Sequence, residues 1–385
     1  MGGLDGRIRT YFGSDEHPSS SWMQLHAVDQ RWISRIALAG GDDPGVLSYD
    51  ALRKLGGDDR RRRPRALEDW YKAWPYVRTK QVQAVEDHLA QLPEPQPDED
   101  DDLLDVPVIT GPPGTGKTTL MKRAAVRALC TAAWDRRLRG TAEIARGELM
   151  RPDWRPVIFH STDGNPHVKT FFSHLCDELS VPATKDPQMA FQKAALRHGV
   201  QYVFIDEVQM INFDGQYGMY LHNALEALQN MNLRVVLAGH NVRHLLVDRK
   251  TVAQNARQTQ SIARWAFQDL ERYGHDTKAD IGEWRALLRG LEAHVRLAGH
   301  ERGETVLSEQ FEEHLWVSTL GYVNALAALV TGACLAATRT PSQRVTSEII
   351  DAVRLNERVA RGRDRRLQGW RVESFRWSAD AVPAP

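Results

Sequence analysis

The sequence predicts an α/β fold built around a parallel sheet, with mostly helical segments before and after it. Between about residues 105 and 241, short apolar runs alternate with helical stretches, which is typical of strands joined by right-handed crossovers. From about Trp265 to Arg361 the strand signals fade and the chain is predicted to be helical. The apolar runs are VPVIT (106–110), PVIFHST (156–162), YVFIDE (202–207) and LRVVLAGHN (233–241).

Length and composition predict several domains along the 385 residues. The stretch PEPQPDEDDD combines three prolines with an acidic run, which is typical of a solvated linker. We expect a helical N-terminal region at 1–92, an acidic proline-rich linker at 93–104, an α/β domain at 105–264, a helical region at 265–360 and a basic tail at 361–385.

The charge balance limits the possible partners. Fifty basic residues offset fifty acidic ones, which excludes a uniformly basic nucleic-acid coat but leaves room for local basic patches. The three cysteines, Cys130, Cys176 and Cys334, are far apart and have no metal-ligand spacing, so buried thiols in a reducing cytoplasm are expected. We find no apolar core of a signal peptide at the N-terminus and therefore expect a cytoplasmic protein.

One uncharged stretch, from Leu315 to Thr338, is about long enough to span a bilayer. The alternatives are a membrane span and a pair of buried helices. Its several polar residues and many alanines favour the buried pair, so no membrane partner is expected.

The stretch GPPGTGKTT matches the pattern G-x-x-x-x-G-K-[ST] between an apolar run and a helical stretch. Glycines allow backbone N–H groups to turn toward phosphate oxygens, and the following helix offers its N-terminus to negative charge. We expect Lys117 to reach the β- and γ-phosphates and the Thr118 hydroxyl to ligate Mg²⁺. The residues expected to bind the nucleotide are Gly111, Pro112, Pro113, Gly114, Thr115, Gly116, Lys117, Thr118 and Thr119.

Two adjacent acids end the third apolar run. Asp206 and Glu207 would lie at the carboxyl edge of the sheet, where open α/β sheets bind ligands. We expect Asp206 to hold Mg²⁺ and Glu207 to orient or deprotonate the attacking water. The alternative, two acids that only cap the following loop, is weakened by the phosphate loop beside them.

Polar side chains also follow the fourth apolar run. His240 or Asn241 would lie between the acid pair and the γ-phosphate and sense its presence. A simple cap at the end of the strand is the alternative, and the sequence does not choose between the two residues.

Five stretches resemble an AAA+ ATPase, and more narrowly the TniB/TnsC-type transposition ATPases, which are related to the IstB and phage Mu target-selector proteins. The resemblance covers about Tyr76 to Arg354. The phosphate loop and acid pair resemble P-loop ATPases in general. The narrower family is favoured by the pairing DEVQ, the strand end AGH, the arginine-bearing stretch before the lid and the glycine-containing lid helix. The stretches are ITGPPGTGKTTL, VFIDEVQMI, LRVVLAGHNVRHLL, QSIARWAFQDL and STLGYVNALAALVTGAC.

The resemblance implies an α/β P-loop AAA+ domain at 105–264, a helical lid at 265–360, and ATP and Mg²⁺ as ligands. It implies homo-oligomeric rings or filaments on duplex DNA in the nucleoid, which recruit a transposase or targeting protein. An arginine of one subunit would complete its neighbour's site, with Arg264 the first candidate and Arg257 the second. A surface salt bridge is the alternative role. The lid has Asn324 where many AAA+ proteins have a sensing arginine, which favours slow hydrolysis. The resemblance also implies that DNA stimulates this hydrolysis.

Two other functions are compatible with the sequence: a helicase-loader-like DNA ATPase, and an ATP-dependent protein scaffold or defence switch with little turnover. Two basic runs are candidate DNA contacts, with solvated charged surfaces as the alternative. Lys169 and Lys185 are further candidates. The first run contains Arg60–Arg63 and Arg65, and the second contains Arg354, Arg358, Arg361, Arg363, Arg365, Arg366 and Arg371.

Overall fold

A computed structural model describes residues 29–30, 32–33, 43–72, 75–91, 105–138, 154–164, 167–211, 223–243, 265–300 and 304–370, with only the backbone at 133–138. The chain divides into two units. The first comprises Met1–Ala39 and Gln81–Leu270, and the second comprises Gly40–Lys80 and Glu271–Pro385. This division differs from the predicted boundaries, because part of the expected N-terminal region 1–92 belongs with the C-terminal helices. The predicted linker 93–104 lies outside the described residues.

The strands are β1 Val106–Thr110, β2 Val157–Ser161, β3 Tyr202–Asp206, β4 Arg234–Gly239 and β5 Trp265–Asp269. The helices with defined ends are α1 Tyr49–Arg53, α2 Gly57–Lys72, α3 Lys80–Gln91, α4 Lys117–Leu138, α5 Val168–Glu178, α6 Pro187–His198, α7 Lys278–Glu292, α8 Glu312–Thr319, α9 Val323–Ala337, α10 Ser347–Ala352 and α11 Glu357–Ala360.

The first unit is built on one parallel sheet with the strand order β2-β3-β4-β1-β5. Val108 of β1 pairs with Leu237 of β4 on one side and with Phe267 of β5 on the other. Val108, Val203 and Leu237 are completely buried. Such apolar strands are expected where helices cover both faces of a parallel sheet. The predicted α/β fold class is therefore confirmed.

Alternate residues of the strands pack on opposite faces of this sheet. On one face, Val203 and Ile205 pack in a cluster with Phe171 of α5 and Phe191 of α6. On the other face, Phe204 belongs to a cluster that includes α4 residues, among them Leu120, Met121 and Val126. The two clusters make a three-layered unit that fixes the ends of β1, β3 and β4.

The edge strand β5 was not predicted from the sequence, where strand signals faded at Trp265. In the structure, Trp265–Asp269 pairs in parallel with all five residues of β1. Only Trp265 of this strand is buried, and the segment continues into the polar residues Gln268 and Asp269. A half-exposed edge strand does not require a continuous apolar run, so it lacks the signal that identified the central strands.

The second unit is helical. Its core combines α7, α8 and α9 through residues such as Trp284, Leu315 and Leu326, and Tyr71 of α2 lies in the same cluster. The Trp70 indole of α2 also donates a 2.8 Å hydrogen bond to the His294 carbonyl. These contacts explain why residues 40–80 belong with the helices that follow the sheet.

The uncharged stretch from Leu315 to Thr338 forms most of α8 and all of α9, which pack in the core of the second unit. Within the described ranges, none of the helices has both the length and the apolar character needed to cross a membrane. Cys130, Cys176 and Cys334 are buried free thiols. Burial raises the pKa of the Cys334 thiol to about 12.

A buried ion pair supports the start of β2. Arg155 donates through Nε and Nη2 to the two carboxylate oxygens of Asp29, each at 2.8 Å. The side chains are only 3% and 7% exposed. We expect Arg155→Ala to lower the free energy of unfolding by about 3–5 kcal/mol, because it leaves the Asp29 carboxylate buried without its partner. Urea unfolding monitored by circular dichroism measures the change.

Arg243→Ala is the matched control. Arg243 pairs with Asp269 at 3.0 Å, but both side chains are about half exposed (48% and 52%). The exposed pair should contribute less than about 1 kcal/mol. Equal destabilisation by the two substitutions would contradict the role assigned to the buried pair.

Candidate functional site

The candidate site lies at the carboxyl edge of the sheet. The loop 111–116 joins β1 to α4, Asp206 ends β3, and His240 follows β4. Because these strands are parallel and adjacent in the order β3-β4-β1, the three segments reach the same edge. Residues that are far apart in the sequence can therefore form one site.

Glycines give the phosphate loop its backbone shape. Gly111, Gly114 and Gly116 have φ angles of 148°, 89° and 98°, a region that L side chains rarely adopt. At Gly111 a Cβ atom would lie 2.2 Å from the Leu270 carbonyl oxygen, so only glycine allows the loop to pass the end of β5. The Thr115 hydroxyl donates to the Pro112 carbonyl at 3.0 Å and braces the turn.

The Lys117 ammonium group lies against this loop. It donates to the carbonyl oxygens of Gly111 and Pro112, at 2.9 and 2.6 Å, and its side chain is buried. The cation is thus fixed beside the backbone that is expected to bind phosphates. Phosphate oxygens would compete with these two carbonyls for the same ammonium protons.

A hydrogen bond joins the phosphate loop segment to β3. The side chain of Thr118, in the first turn of α4, hydrogen-bonds the buried carboxylate of Asp206. Asp206 Oδ1 also accepts the Glu207 backbone N–H at 2.9 Å. The two residues predicted to hold Mg²⁺ therefore lie beside each other.

Burial dominates the electrostatics of Asp206. Desolvation raises the pKa of its carboxyl group, and the Glu207 charge adds a smaller effect in the same direction. The hydrogen bonds from Thr118 and the Glu207 N–H, and the charge of Lys122, act in the opposite direction. A carboxylate that remains hard to ionise is one that a nearby divalent cation would stabilise.

The donor set fits Mg²⁺, which prefers oxygen ligands and keeps several water molecules. Asp206 supplies a carboxylate and Thr118 a hydroxyl, and substrate phosphates would supply further oxygens. Among the described residues, no cluster of three or more His, Cys, Asp and Glu side chains could hold a metal by itself. Two protein oxygens leave most of the Mg²⁺ coordination sphere to water and phosphate oxygens, which suits a cation that binds together with a nucleotide.

Glu207 differs from Asp206 in its exposure. Its φ angle is +58°, a left-handed conformation directly after the strand, and its side chain is exposed. The Gln209 side-chain amide donates a hydrogen bond to its carboxylate. The exposed carboxylate of Glu207 suits the predicted activation of water, and the buried carboxylate of Asp206 suits the predicted binding of a metal.

Of the two sensor candidates, His240 contacts the phosphate loop. Its Nδ1 lies 3.3 Å from the Gly111 carbonyl oxygen, and its backbone N–H donates to Gln209 Oε1 at 2.7 Å. Asn241 has a φ angle of +50° and an exposed side chain. Arg264 and Arg257, the predicted intersubunit arginines, lie outside the described residues.

Sequence reasoning missed two residues that shape this edge. Gln209 bonds to both Glu207 and His240. Thr110, the last residue of β1, accepts the Val242 N–H at 3.0 Å and ties the segment after β4 to the start of the loop. The motif DEVQ contained Gln209, but its contact with β4 depends on strand order and has no local signal.

The pKa of Asp206 leads to a prediction for the metal-free protein. In EDTA at pH 7, Asp206→Asn is expected to raise the Tm, because an amide keeps the hydrogen-bond acceptor and removes a buried charge. Since folding raises this pKa, the carboxylate's contribution to stability falls as the pH rises through the folded-state value. The gain should therefore vanish below the unfolded-state pKa of about 3.9.

Thermal unfolding between pH 4 and 8 measures the effect. Asp163→Asn, at an exposed position after β2, is the control and should leave the Tm unchanged at every pH. A lower Tm for Asp206→Asn at pH 7 would show that burial is not the dominant cost at this carboxylate.

Comparisons with known proteins give one family model and several solved structures similar to part of this chain. Residues 105–246 match the family model described as an AAA domain. The ORC1 protein of Aeropyrum pernix, solved in complex with DNA, is 13% identical over 72% of this chain and 65% of that chain, with a TM-score of 0.48. AMPPCP-bound DnaA from Aquifex aeolicus is 15% identical over 69% and 62%, with a TM-score of 0.39.

A Walker-type ATPase of Pyrococcus abyssi is 13% identical over 81% of this chain and 80% of that chain, with a TM-score of 0.40. The chain spans less than two thirds of the ORC1 and DnaA chains. A comparison with curated proteins gave no match. Residues 105–246 are thus similar to an AAA domain, and their parallel sheet and phosphate loop have the P-loop arrangement.

Proposed function

We propose that this chain binds ATP with Mg²⁺ and hydrolyses it. The contact between Thr118 and Asp206 carries the proposal, because it joins the hydroxyl and carboxylate that a nucleotide-bound metal requires. The AAA domain supports the same activity. Bound Mg²⁺ would supply positive charge to the phosphate oxygens and to the buried carboxylate.

In this proposal each residue of the site has a separate role in binding or hydrolysis. Lys117 would exchange its two loop carbonyls for oxygens of the β- and γ-phosphates. Glu207 would orient a water molecule toward the γ-phosphorus and accept its proton. Asp206 would bind the metal ion. His240, which already reaches the loop at Gly111, is the better placed of the two sensor candidates.

Beyond ATP hydrolysis, the proposed function is the regulation of transposition on duplex DNA. This part rests on the resemblance of the motifs to TniB/TnsC-type ATPases. Copies of the chain would assemble on DNA in the cytoplasm, at the nucleoid, with Arg264 completing a neighbour's site. A transposase or targeting protein would then bind the ATP-bound assembly.

Three arginines of the two basic runs donate hydrogen bonds to main-chain carbonyls within the second unit. Arg63 donates to the carbonyls of Pro44 and Gly45. Arg363 is buried and donates to the carbonyls of Val353 and Ile350. Arg366 likewise donates to main-chain carbonyls, at 3.2 Å for Val317 and 2.8 Å for Val359.

These three arginines are therefore removed from the candidate DNA contacts. The exposed arginines of the first run remain on α2, and they are Arg60, Arg61, Arg62 and Arg65. The exposed arginines of the second run within the described residues are Arg354, Arg358, Arg361 and Arg365.

Two substitutions test the ATPase assignment. Lys117→Ala should lower ATP affinity by about 10- to 100-fold or more, because charged hydrogen bonds to the phosphates are lost. Glu207→Gln should keep ATP affinity but lower kcat by about 10²- to 10⁴-fold and trap the ATP-bound assembly. Calorimetry measures binding, and phosphate release measures turnover.

Lys193→Ala, at an exposed position on α6, is the control for the loss of a lysine. Unchanged ATP affinity in Lys117→Ala would refute the phosphate site. Parental turnover in Glu207→Gln would refute Glu207 as the base.

A triple substitution tests the DNA surface on α2. Changing Arg60, Arg62 and Arg65 to Gln should weaken binding to duplex DNA without changing ATP affinity. If each arginine neutralises one phosphate, the slope of log K against log salt should fall by about 2–3. Fluorescence anisotropy over a salt series measures both quantities.

The control removes three positive charges elsewhere, by changing Lys193, Arg197 and Lys278 to Gln. These side chains are also exposed. Equal losses for the two triple variants would assign DNA binding to overall charge. A parental protein that binds no DNA but binds a protein partner with ATP would favour the scaffold alternative.

A further inference from the structure

A path of hydrogen bonds crosses the edge of the sheet beside the proposed nucleotide site. Gln209 Nε2 donates to the Glu207 carboxylate, and Gln209 Oε1 accepts the backbone N–H of His240 at 2.7 Å. His240 Nδ1 lies 3.3 Å from the Gly111 carbonyl, which also accepts from Lys117 at 2.9 Å. One side-chain amide thus links the end of β3 to the end of β4 and, through His240, to the phosphate loop.

The surroundings hold this amide in place. Gln209 is in the middle of a single 3₁₀ turn, Val208–Met210, whose closing hydrogen bond runs from the Met210 N–H to the Glu207 carbonyl at 2.8 Å. Val208 and Ile211 anchor the turn in the core. The path therefore begins on a rigid element.

The end of β4 leaves room for the Gln209 side chain. At Gly239 a Cβ atom would lie 2.6 Å from Gln209 Oε1 and 2.8 Å from a methyl carbon of Val242. Any side chain at this position would push the amide away from the His240 N–H. The glycine in the AGH stretch is thus required by the Gln209 contact.

We propose that Gln209 is a positioning residue for Glu207, a role that rests on the proposed ATPase function. Glu207 has an exposed side chain and a left-handed backbone conformation. Without the hydrogen bond from Gln209, its carboxylate would sample several rotamers. A carboxamide has the donor that a carboxylate needs and the acceptor that a backbone N–H needs. Gln209 therefore fixes the base relative to the strand end that carries His240.

The same link makes the orientation of Glu207 depend on the end of β4. A displacement of the His240 backbone moves the acceptor end of the amide, and its donor end moves Glu207. Because His240 also reaches Gly111, occupancy of the phosphate loop is transmitted to the base through main-chain and amide contacts.

The experiment compares Gln209→Leu with Gln209→Glu in the full chain, with ATP and Mg²⁺. The leucine removes both hydrogen bonds at nearly constant size. The glutamate keeps an acceptor for the His240 N–H but cannot donate to Glu207 when ionised. Both variants should lower kcat by about 10- to 100-fold while the KM for ATP stays within about twofold, since only the positioning of the base is lost.

Met210→Ala is the matched control, because it changes the neighbouring exposed residue of the same turn and should leave kcat unchanged. A second measurement combines Gln209→Leu with Glu207→Gln. If Gln209 acts only through Glu207, the double variant should turn over at the rate of Glu207→Gln alone. A further loss in the double variant would indicate a structural role and overturn the proposal.

Parental kcat in both Gln209 variants, or a rise in KM equal to the fall in kcat, would also overturn it. These outcomes leave the proposed function intact as long as Glu207→Gln itself loses turnover. If the parental protein hydrolyses no ATP, or Glu207→Gln changes nothing, the proposed function fails and the role of Gln209 fails with it.

Discussion

The contact between Thr118 and Asp206 is the constraint on which the candidate site depends. The two residues belong to the phosphate loop segment and to β3, which are separated in the sheet by β4. They meet because all three strands run in the same direction and end at the same edge. Asp206 is buried there with its pKa raised, which is the cost of placing the proposed metal ligand inside the fold. We therefore expect the metal-free protein to lose some stability by holding this carboxylate in position.

The parts of the fold that were predicted have local signals. The spacing of Gly111, Gly116 and Lys117 and the two acids after an apolar run can be recognised without knowing the neighbouring strands. The parts that were missed depend on tertiary contacts. The strand Trp265–Asp269 is half exposed and is recognised as a strand by its pairing with β1. Residues 40–80 pack with the C-terminal helices through Tyr71 and Trp70.

The basic runs also show that arginines with the same sequence pattern can have different surroundings in the structure. In the sequence, Arg60 to Arg63 are four equivalent charges. In the structure, Arg63 turns inward to two carbonyls, whereas its neighbours are exposed. Arg363 and Arg366 are held by main-chain carbonyls in the same way, since buried carbonyls need donors and a guanidinium offers five. A count of basic residues therefore overstates the positive charge available to a polyanion.

The position of Lys117 has a consequence for which anions the loop retains. Its ammonium group is already satisfied by the carbonyls of Gly111 and Pro112. An orthophosphate ion would contact only part of the loop, and its hydrogen bonds to Lys117 would be partly offset by the loss of these two carbonyl partners. Under the proposed function, a polyphosphate chain would engage the loop amides, the lysine and the proposed metal ligands at once, so its advantage would grow with each phosphate. The loop would therefore favour longer phosphate chains, and we expect orthophosphate to compete weakly for it.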